Sequence, residues 1–369
     1  MARMRKKEGF KRQQGMRTTL ADVAEAAGVS PATVSRFLKS RHSIRSKSWE
    51  PIEAAIAALG YVPHAAARTL ASRSSRMIGM VYPRLDSLLF GSFYEPLQKR
   101  LQEEGYTLVV TSSDYDLSSE FQQVHNFVSN AVDALILVGA AHDEKTFDLV
   151  RNSGTPLLLG VGWSESGGRG YPQIGFSNRK AAASVTHHLL DLGHRHIGVI
   201  IAGQASNDRA SERLAGIRQV LGEADIELAE KDIFRCDFTF ENGALGLRRF
   251  LDRPDPPTAV LCGSDMLAAG ALFECQRLGI NVPQEMSLTG FDDIELARMV
   301  HPALTTMRTP RRDLAKVTAE SLLSLLLDGK ALPSLQFDTQ LMVRESTAAP
   351  RQHALPQLQP VDGHPVISE

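Results

Sequence analysis

Thr19-Leu-Ala-Asp-Val-Ala-Glu-Ala-Ala-Gly-Val-Ser-Pro-Ala-Thr-Val-Ser-Arg-Phe-Leu38 reads as two short helices joined by a tight turn. Leu20, Val23, Ala24 and Ala27 recur at helical spacing, and Val34 and Leu38 restart the apolar pattern on a second helix. Between them Gly28 supplies a turn residue with a permissive backbone. Ser30 can accept a hydrogen bond from an N–H of the second helix's first turn. Pro31 suits the first helical position, where its missing N–H costs nothing. Two helices in this arrangement can lay the second one in a DNA major groove, but an ordinary helical hairpin has the same periodicity, so the rest of the chain must decide.

The charge distribution is the first discriminator. The 369 residues carry a net charge of only −1, yet residues 1–76 hold 15 Lys+Arg against 5 Asp+Glu, which leaves the remainder strongly acidic. A basic N-terminal block on an acidic body predicts that the first module alone meets a polyanion. Cys236, Cys262 and Cys275 are odd in number and lack metal-ligand spacing, so neither a disulfide framework nor a metal site is expected, and a reducing cytoplasm fits. The basic N-terminus has no apolar run of the secretory kind and no later segment approaches membrane-spanning length, so neither export nor membrane insertion is expected. Residues 1–15 read either as a disordered basic arm that attracts phosphates or as a stretch upstream of a start at Met16.

A third helix is expected over Ile44–Leu59, with Ile52, Ala55, Ile56 and Leu59 facing inward and Gly60 ending it; Pro51 is tolerated if that helix begins near Ser48. Residues 61–76 are Ala-rich and basic, too poor in large apolar side chains to bury a core, and read as a linker that becomes helical only when something orders it. From Met77 apolar strands alternate with helices. Strands are expected at Met77–Tyr82, Thr107–Thr111, Ala134–Val138, Pro156–Leu159, Gln173–Phe176, His196–Ile201, Ala259–Cys262 and Ser287–Phe291, with helices near 93–104, 118–129, 143–152, 178–192, 208–224, 240–252, 265–278 and 310–328. Such alternation implies doubly wound parallel sheets, and about ten strands divide into two α/β lobes with a cleft at the strand C-termini. From about Ala348 the chain is Pro- and Gln-rich without a period and reads as a disordered tail.

Several motifs in order then carry a resemblance. Thr19-Leu-x-Asp-Val-Ala-x-x-Ala-Gly-Val-Ser-x-x-Thr-Val-Ser-Arg36, Ala58-Leu-Gly-Tyr-Val-Pro63, Ala66-Ala-Arg-x-Leu-Ala71, Ile78-Gly79, Leu192-Gly-His-Arg-His-Ile-Gly198, Arg213-Leu-Ala-Gly216, Gly290-Phe-Asp-Asp293 and Pro302-Ala-Leu-Thr-Thr306 together resemble a transcriptional regulator of the LacI/GalR family across residues 18–347. The resemblance implies an α-helical helix-turn-helix headpiece plus an α/β core of two doubly wound parallel-sheet lobes, like the periplasmic sugar-binding proteins. It divides the chain into a basic arm (1–17), the DNA-binding headpiece (18–62), a hinge helix (63–76), a two-lobed ligand-binding and dimerisation domain (77–347) and a tail (348–369). Three crossings between lobes are expected, near Phe176–Ser177, Thr305–Thr309 and Gln336–Asp338.

The resemblance also implies roles. The helix Pro31–Phe37 enters a major groove, with Arg36 placed for a bidentate contact to guanine or a phosphate clamp, and Thr33 and Ser35 within reach of bases or phosphates. Pro31 and Ala32 stand at specificity-setting positions and can make only apolar contacts, for example to a thymine methyl. Leu70 is a minor-groove wedge or a packing residue of the hinge, and Arg68 and Arg73 touch phosphates; two hinges must pair on a palindromic operator, which requires a homodimer. In the cleft, Arg213 and Asp292 bind the effector, Phe90 and Phe238 cover it or belong to the core, and Ser264 lies at the next strand's end beside Asp265, which can also cap a helix. Pro156-Leu-Leu-Leu-Gly-Val-Gly-Trp163 lacks the acidic residue that many relatives place there to grip a sugar hydroxyl. Arg209 lies one helical turn before Arg213, and two guanidiniums on one face favour an anionic ligand, a sugar acid. Phe273-Glu-Cys-Gln-Arg-Leu-Gly279 and Thr309-Pro-Arg-Arg312 resemble the gluconate-responsive branch.

The reading is a cytoplasmic repressor whose operator affinity is switched by a small molecule, with no cofactor, no metal, no membrane and no catalysis. The alternatives are a binding protein of transport type and a corepressor-dependent regulator that responds to a nucleobase-like ligand. An enzyme would have to use His187, His188, His194 and His196, and neither a Gly-rich phosphate loop nor a nucleophile elbow accompanies them.

Overall fold

A computed structural model describes residues 18–39, 48–62, 74–86 and 88–351. The chain divides into two compact units, Met1–Ser75 and Arg76–Glu369. In the first, α1 (Leu20–Ala26), α2 (Pro31–Lys39) and α3 (Trp49–Leu59) enclose a small core of Val23, Ala24, Val34, Ile52, Ala55 and Tyr61. Thr19 caps α1 in a reciprocal box with Asp22, and Gly28 takes the left-handed conformation (φ +64°) that the turn requires. The helix α3 starts after Ser48, which leaves Pro51 in its first turn, where its missing N–H breaks no helical bond. Phe37 packs on this core, whereas Leu38, expected to face inward, is exposed.

The second unit holds two six-stranded sheets. In sequence order its elements are β1 (Met77–Tyr82), α4 (Phe90–Glu103), β2 (Thr107–Ser112), α5 (Leu117–Ser129), β3 (Ala134–Val138), α6 (Glu144–Ser153), β4 (Leu157–Val161) and β5 (Gln173–Phe176); then α7 (Asn178–Asp191), β6 (Ile197–Ala202), α8 (Asp208–Glu223), β7 (Ile233–Cys236), α9 (Phe240–Leu251), β8 (Ala259–Cys262), α10 (Asp265–Arg277), β9 (Ser287–Asp292), α11 (Glu295–Met299) and β10 (Thr305–Arg308); and last α12 (Arg311–Asp328), β11 (Leu335–Phe337) and β12 (Gln340–Met342). Lobe 1 has the strand order β11-β5-β4-β3-β1-β2 and lobe 2 the order β12-β10-β9-β8-β6-β7. All pairings are parallel except that of β10 with β12. The central strands are apolar runs buried on both faces, as parallel sheets flanked by helices require.

The chain passes between lobes after β5, between β10 and α12, which packs on α4 of lobe 1, and between β11 and β12. Every strand expected from sequence is present within two residues at either end, and β7, β10, β11 and β12 are added to them. The start of the expected tail needs correction. Ala348 donates to Ser287 Oγ (3.1 Å), and Arg351 donates to the carbonyls of Pro256 (2.9 Å), Pro257 (3.1 Å) and Glu285 (2.9 Å), so residues 348–351 are fastened to lobe 2. Residues 352–369 lie outside the described residues.

Candidate functional site

Each of the two units presents a site built from local sequence. In the first, Ser30 Oγ accepts from Thr33 N–H (3.2 Å) and lies 2.9 Å from the Thr33 hydroxyl, which fixes the start of α2. Burial of Val34 then turns Pro31, Ala32 and Arg36 to solvent, with Thr33 and Ser35 half-buried at its sides. The helix therefore offers one exposed guanidinium behind an apolar tip. Arg68, Leu70 and Arg73 lie outside the described residues.

In the second unit, a cavity of about 190 Å³ lies between the lobes at the C-terminal ends of the parallel strands, where doubly wound sheets bind ligands. Lobe 1 lines it with Tyr82, Tyr115, Val138 and Val161, and lobe 2 with Asn207, Arg209, Arg213, Phe238, Ser264 and Asp292, while Arg311 enters from the second crossing. Five of the six residues singled out from sequence, Arg209, Arg213, Phe238, Ser264 and Asp292, thus surround one space. Phe90 is not among the lining residues; it stacks on Tyr94 at 4.9 Å and meets the edge of Tyr82 at 5.0 Å, behind the cavity wall. Asp265 does not cap α10. Its neighbour Ser264 does, accepting from Leu267 N–H at 3.3 Å.

Arg213 projects from α8 and is fixed on three sides. Its Nε donates to Asn178 Oδ1 (2.9 Å), its Nη1 donates to the Gly263 carbonyl (2.5 Å), and its guanidinium lies 3.7 Å from the centre of the Phe291 ring. Asp292 is held at φ +105°, a conformation costly for a residue with a Cβ, which points its carboxylate into the same space. That carboxylate is spent mainly on Arg311, whose Nη2 lies 2.8 Å away, while Arg213 Nη2 is at 3.9 Å. The consequence is an imbalance. Burial, with Arg311 and Arg209 nearby, pulls Arg213 down to about 10 although Asp292 acts the other way, whereas for Arg311 the attraction of Asp292 and Tyr82 outweighs its burial and leaves it raised. Arg311 Nε is buried with no hydrogen-bond partner. Arg209 Nη1 donates to the Val138 carbonyl (3.0 Å) and pairs with Asp208 (3.0 Å).

Arg311 is the residue that reasoning from sequence passed over. Its signal was present in Thr309-Pro-Arg-Arg312, since a Pro followed by two arginines opens the helix after the second crossing, at the mouth of a cleft. The histidines serve the scaffold. His194 bonds Thr258, Ser287 and the Ala348 carbonyl, and His196 reaches Asp232 at 3.3 Å. Among the described residues no cluster of His, Cys, Asp or Glu could hold a metal ion, and no helix is long and apolar enough to cross a membrane.

Asp265 adds a titratable group to the cavity wall. Burial pushes its carboxyl up to about 8, against the opposing effect of bonds from the Thr306 hydroxyl (2.5 Å) and Ile294 N–H (2.8 Å). The folded chain therefore retains a proton that the unfolded chain releases near the ordinary value of 3.8. Its contribution to stability is full below that value and is lost as pH rises through about 8. Asp265→Asn, which can donate to Thr306 and accept from Ile294, is expected to gain on the wild type steadily from pH 4 to 8.5 in denaturant midpoint. A difference that stays flat across this range would mean an ionised carboxylate in the fold.

A family model described as bacterial regulatory proteins, lacI family, matches residues 19–64, and one described as a periplasmic binding protein-like domain matches residues 186–347. The crystal structure of transcription regulator GntR from Chromobacterium violaceum is 30% identical and superposes with a TM-score of 0.67 over 73% of this chain and 99% of that one. This chain belongs to the lacI family. A lacI-family headpiece and a lacI-family core are therefore joined in one DNA-binding transcriptional regulator with a ligand-binding cleft. The same holds across nearly the full length. The HTH-type transcriptional repressor PurR of Escherichia coli is 29% identical over 331 residues, covering 89% of this chain and 97% of PurR. A lac repressor dimer bound to operator and an anti-inducer is 28% identical over 90% of this chain and all of that one, with a TM-score of 0.76.

Proposed function

We propose that this regulator is a repressor that binds a palindromic operator as a dimer and is switched by a small, anionic, hydroxyl-bearing ligand of the sugar-acid class. One observation carries the ligand class. Three guanidiniums, those of buried Arg213 and Arg311 and of half-buried Arg209, surround one cavity, and Arg311 Nε has no acceptor. A carboxylate on the ligand would supply that acceptor and offset the charge that Asp292 leaves uncompensated at Arg213. Asp292 and Asn207 can accept from or donate to ligand hydroxyls, and Phe238 offers an apolar face. At the end of β4 the wall is Val161, with no carboxylate for a neutral hexose to bridge.

The test is a calorimetric titration of the full chain with gluconate, other aldonates and uronates, glucose, cellobiose and hypoxanthine, paired with binding to an operator recovered by selection from genomic DNA. A sugar acid is expected to bind and to change operator affinity by about 5–150-fold. Binding of only a neutral sugar or a nucleobase would overturn the ligand class.

For the headpiece, Arg36→Ala is expected to weaken operator binding by about 1–3 kcal/mol and to relax the sequence preference at one base pair per half-site. Fluorescence anisotropy against a set of single-base operator variants checks this. An affinity that falls equally on every sequence, with a shallower salt dependence, would make Arg36 a phosphate contact instead.

A further inference from the structure

One short segment of lobe 2, residues 206–209, grips lobe 1. Ser206 Oγ donates to the Tyr115 carbonyl, Asp208 Oδ2 accepts from Ala140 N–H (2.6 Å), and Arg209 Nη1 donates to the Val138 carbonyl (3.0 Å). These contacts land on two separate places in lobe 1, the loop leading into α5 and the end of β3 with the loop that follows it. The fit is close at the second loop. A Cβ on Gly139, whose φ is +92°, would lie 2.4 Å from Arg209 Nη1 and 2.5 Å from Asp208 Oδ1.

Behind this contact stands a buried pair whose residues are not among those that line the cavity. His142 Nδ1 lies 2.8 Å from Glu120 Oε1, and His142 Nε2 lies 3.2 Å from the Gly139 carbonyl. The His142 ring is packed edge-on against Phe147 at 5.6 Å, and the two side chains are 2% and 11% exposed for His142 and Glu120. Glu120 sits in the first turn of α5, five residues after Tyr115, while His142 closes the loop that contains Gly139 and Ala140. The pair therefore ties together the two lobe-1 loops that receive Ser206, Asp208 and Arg209. A buried polar pair of this kind is costly unless both members are bonded, so removing one member releases the other and with it the loop.

We propose that Glu120 and His142 are positioning residues for lobe closure: they hold the two receiving loops in register, and so set how readily the lobes close around a ligand. The inference rests on the reading that the cavity works by closure, but not on the identity of the ligand. Its test uses the ligand-free chain.

The Ala140 amide is a built-in reporter, because its N–H is bonded to the opposite lobe, whereas the amides of β3 are bonded within lobe 1. In hydrogen exchange on the full chain, Glu120→Ala is expected to speed exchange at Ala140 by about tenfold, the loss of a hydrogen bond's worth of protection, with Leu135–Leu137 unchanged. Glu120→Gln should stay close to wild type, since its amide can donate to Nδ1 while Nε2–H still donates to Gly139. Asp208→Ala removes the cross-lobe bond directly, and adding Glu120→Ala to it should change Ala140 exchange no further. Equal acceleration across β3, failure of Glu120→Ala to fold, or additive effects in the double variant would each make the pair general support for lobe 1 and overturn the proposal.

Discussion

Arg213→Ala is expected to abolish the response to the cavity ligand while leaving ligand-free operator binding unchanged. Truncation removes the best-anchored cation of the site, together with its stack on Phe291 and its bonds to Asn178 and the Gly263 carbonyl. Those two acceptors then lose the donor that Arg213 supplies. A charge-assisted bond in a buried site contributes about 1.5–3 kcal/mol, and the stranded acceptors add to the deficit. Ligand affinity should fall by at least about a hundredfold, or about 2.8 kcal/mol at about 1.4 kcal/mol per tenfold. Arg213→Lys keeps the charge but neither the planar fork nor the stack, and should recover only part of the loss. Calorimetric titration with gluconate on both variants, alongside near-ultraviolet circular dichroism to show that the lobes remain packed, decides it. Unchanged affinity in the Ala variant would remove Arg213 from the ligand contacts.

The second large effect is on stability. Gly270→Val should cost lobe 2 about 3 kcal/mol, the upper part of the range for overpacking a closed interface. The helices α9 and α10 meet backbone to backbone: a Cβ on Gly270 would lie 2.0 Å from the Phe240 carbonyl oxygen, and one on Gly243 would lie 2.2 Å from that of Leu267. Neither obstacle is a side chain that can swing away. To admit a methyl group the helices must separate, and the contacts of Leu247, Phe250, Leu267, Ala268, Ala271 and Leu272 loosen with them. Gly222→Ala is the matched control, since nothing lies within 4 Å of a Cβ there on the exposed side of α8. It should stabilise by about 0.4–1 kcal/mol. Urea denaturation of the three proteins gives the comparison, and equal midpoints for Gly270→Val and wild type would contradict the close crossing.

How much of this was legible beforehand follows from where each signal resides. The buried strands of both sheets announce themselves as apolar runs, whereas the cap of α10, read at Asp265, falls one residue earlier at Ser264, and Asn207 caps α8. Helical spacing alone places Arg209 and Arg213 on neighbouring turns. By contrast β11 and β12 have three residues each, on sheet edges, half-exposed and without an apolar run, so only pairing with a distant strand makes them strands. Arg311 enters the cavity because the chain recrosses between lobes: Thr309-Pro-Arg-Arg312 marks the start of α12, but only the recrossing brings that start to the cleft. Phe90 shows the reverse: its position relative to motifs pointed to the ligand, while its aromatic neighbours Tyr82 and Tyr94 hold it behind the wall. Leu38 and Phe37 differ by one position on α2, a rotation of about 100° that periodicity over nine residues does not resolve.

The three crossings also govern the order in which a ribosome can finish this molecule. The headpiece core draws only on residues 20–61, so it is complete while most of the chain is still unsynthesised. Lobe 1 must wait for α12 and β11, which emerge after nearly all of lobe 2, and lobe 2 in turn waits for β12 and for Ala348 and Arg351 to dock. Until then β5 and β10 each lack their outer partner, and long-range pairing of this kind is slow to form and prone to association. A nascent chain can thus own a folded DNA-reading module well before it owns the cavity that regulates it.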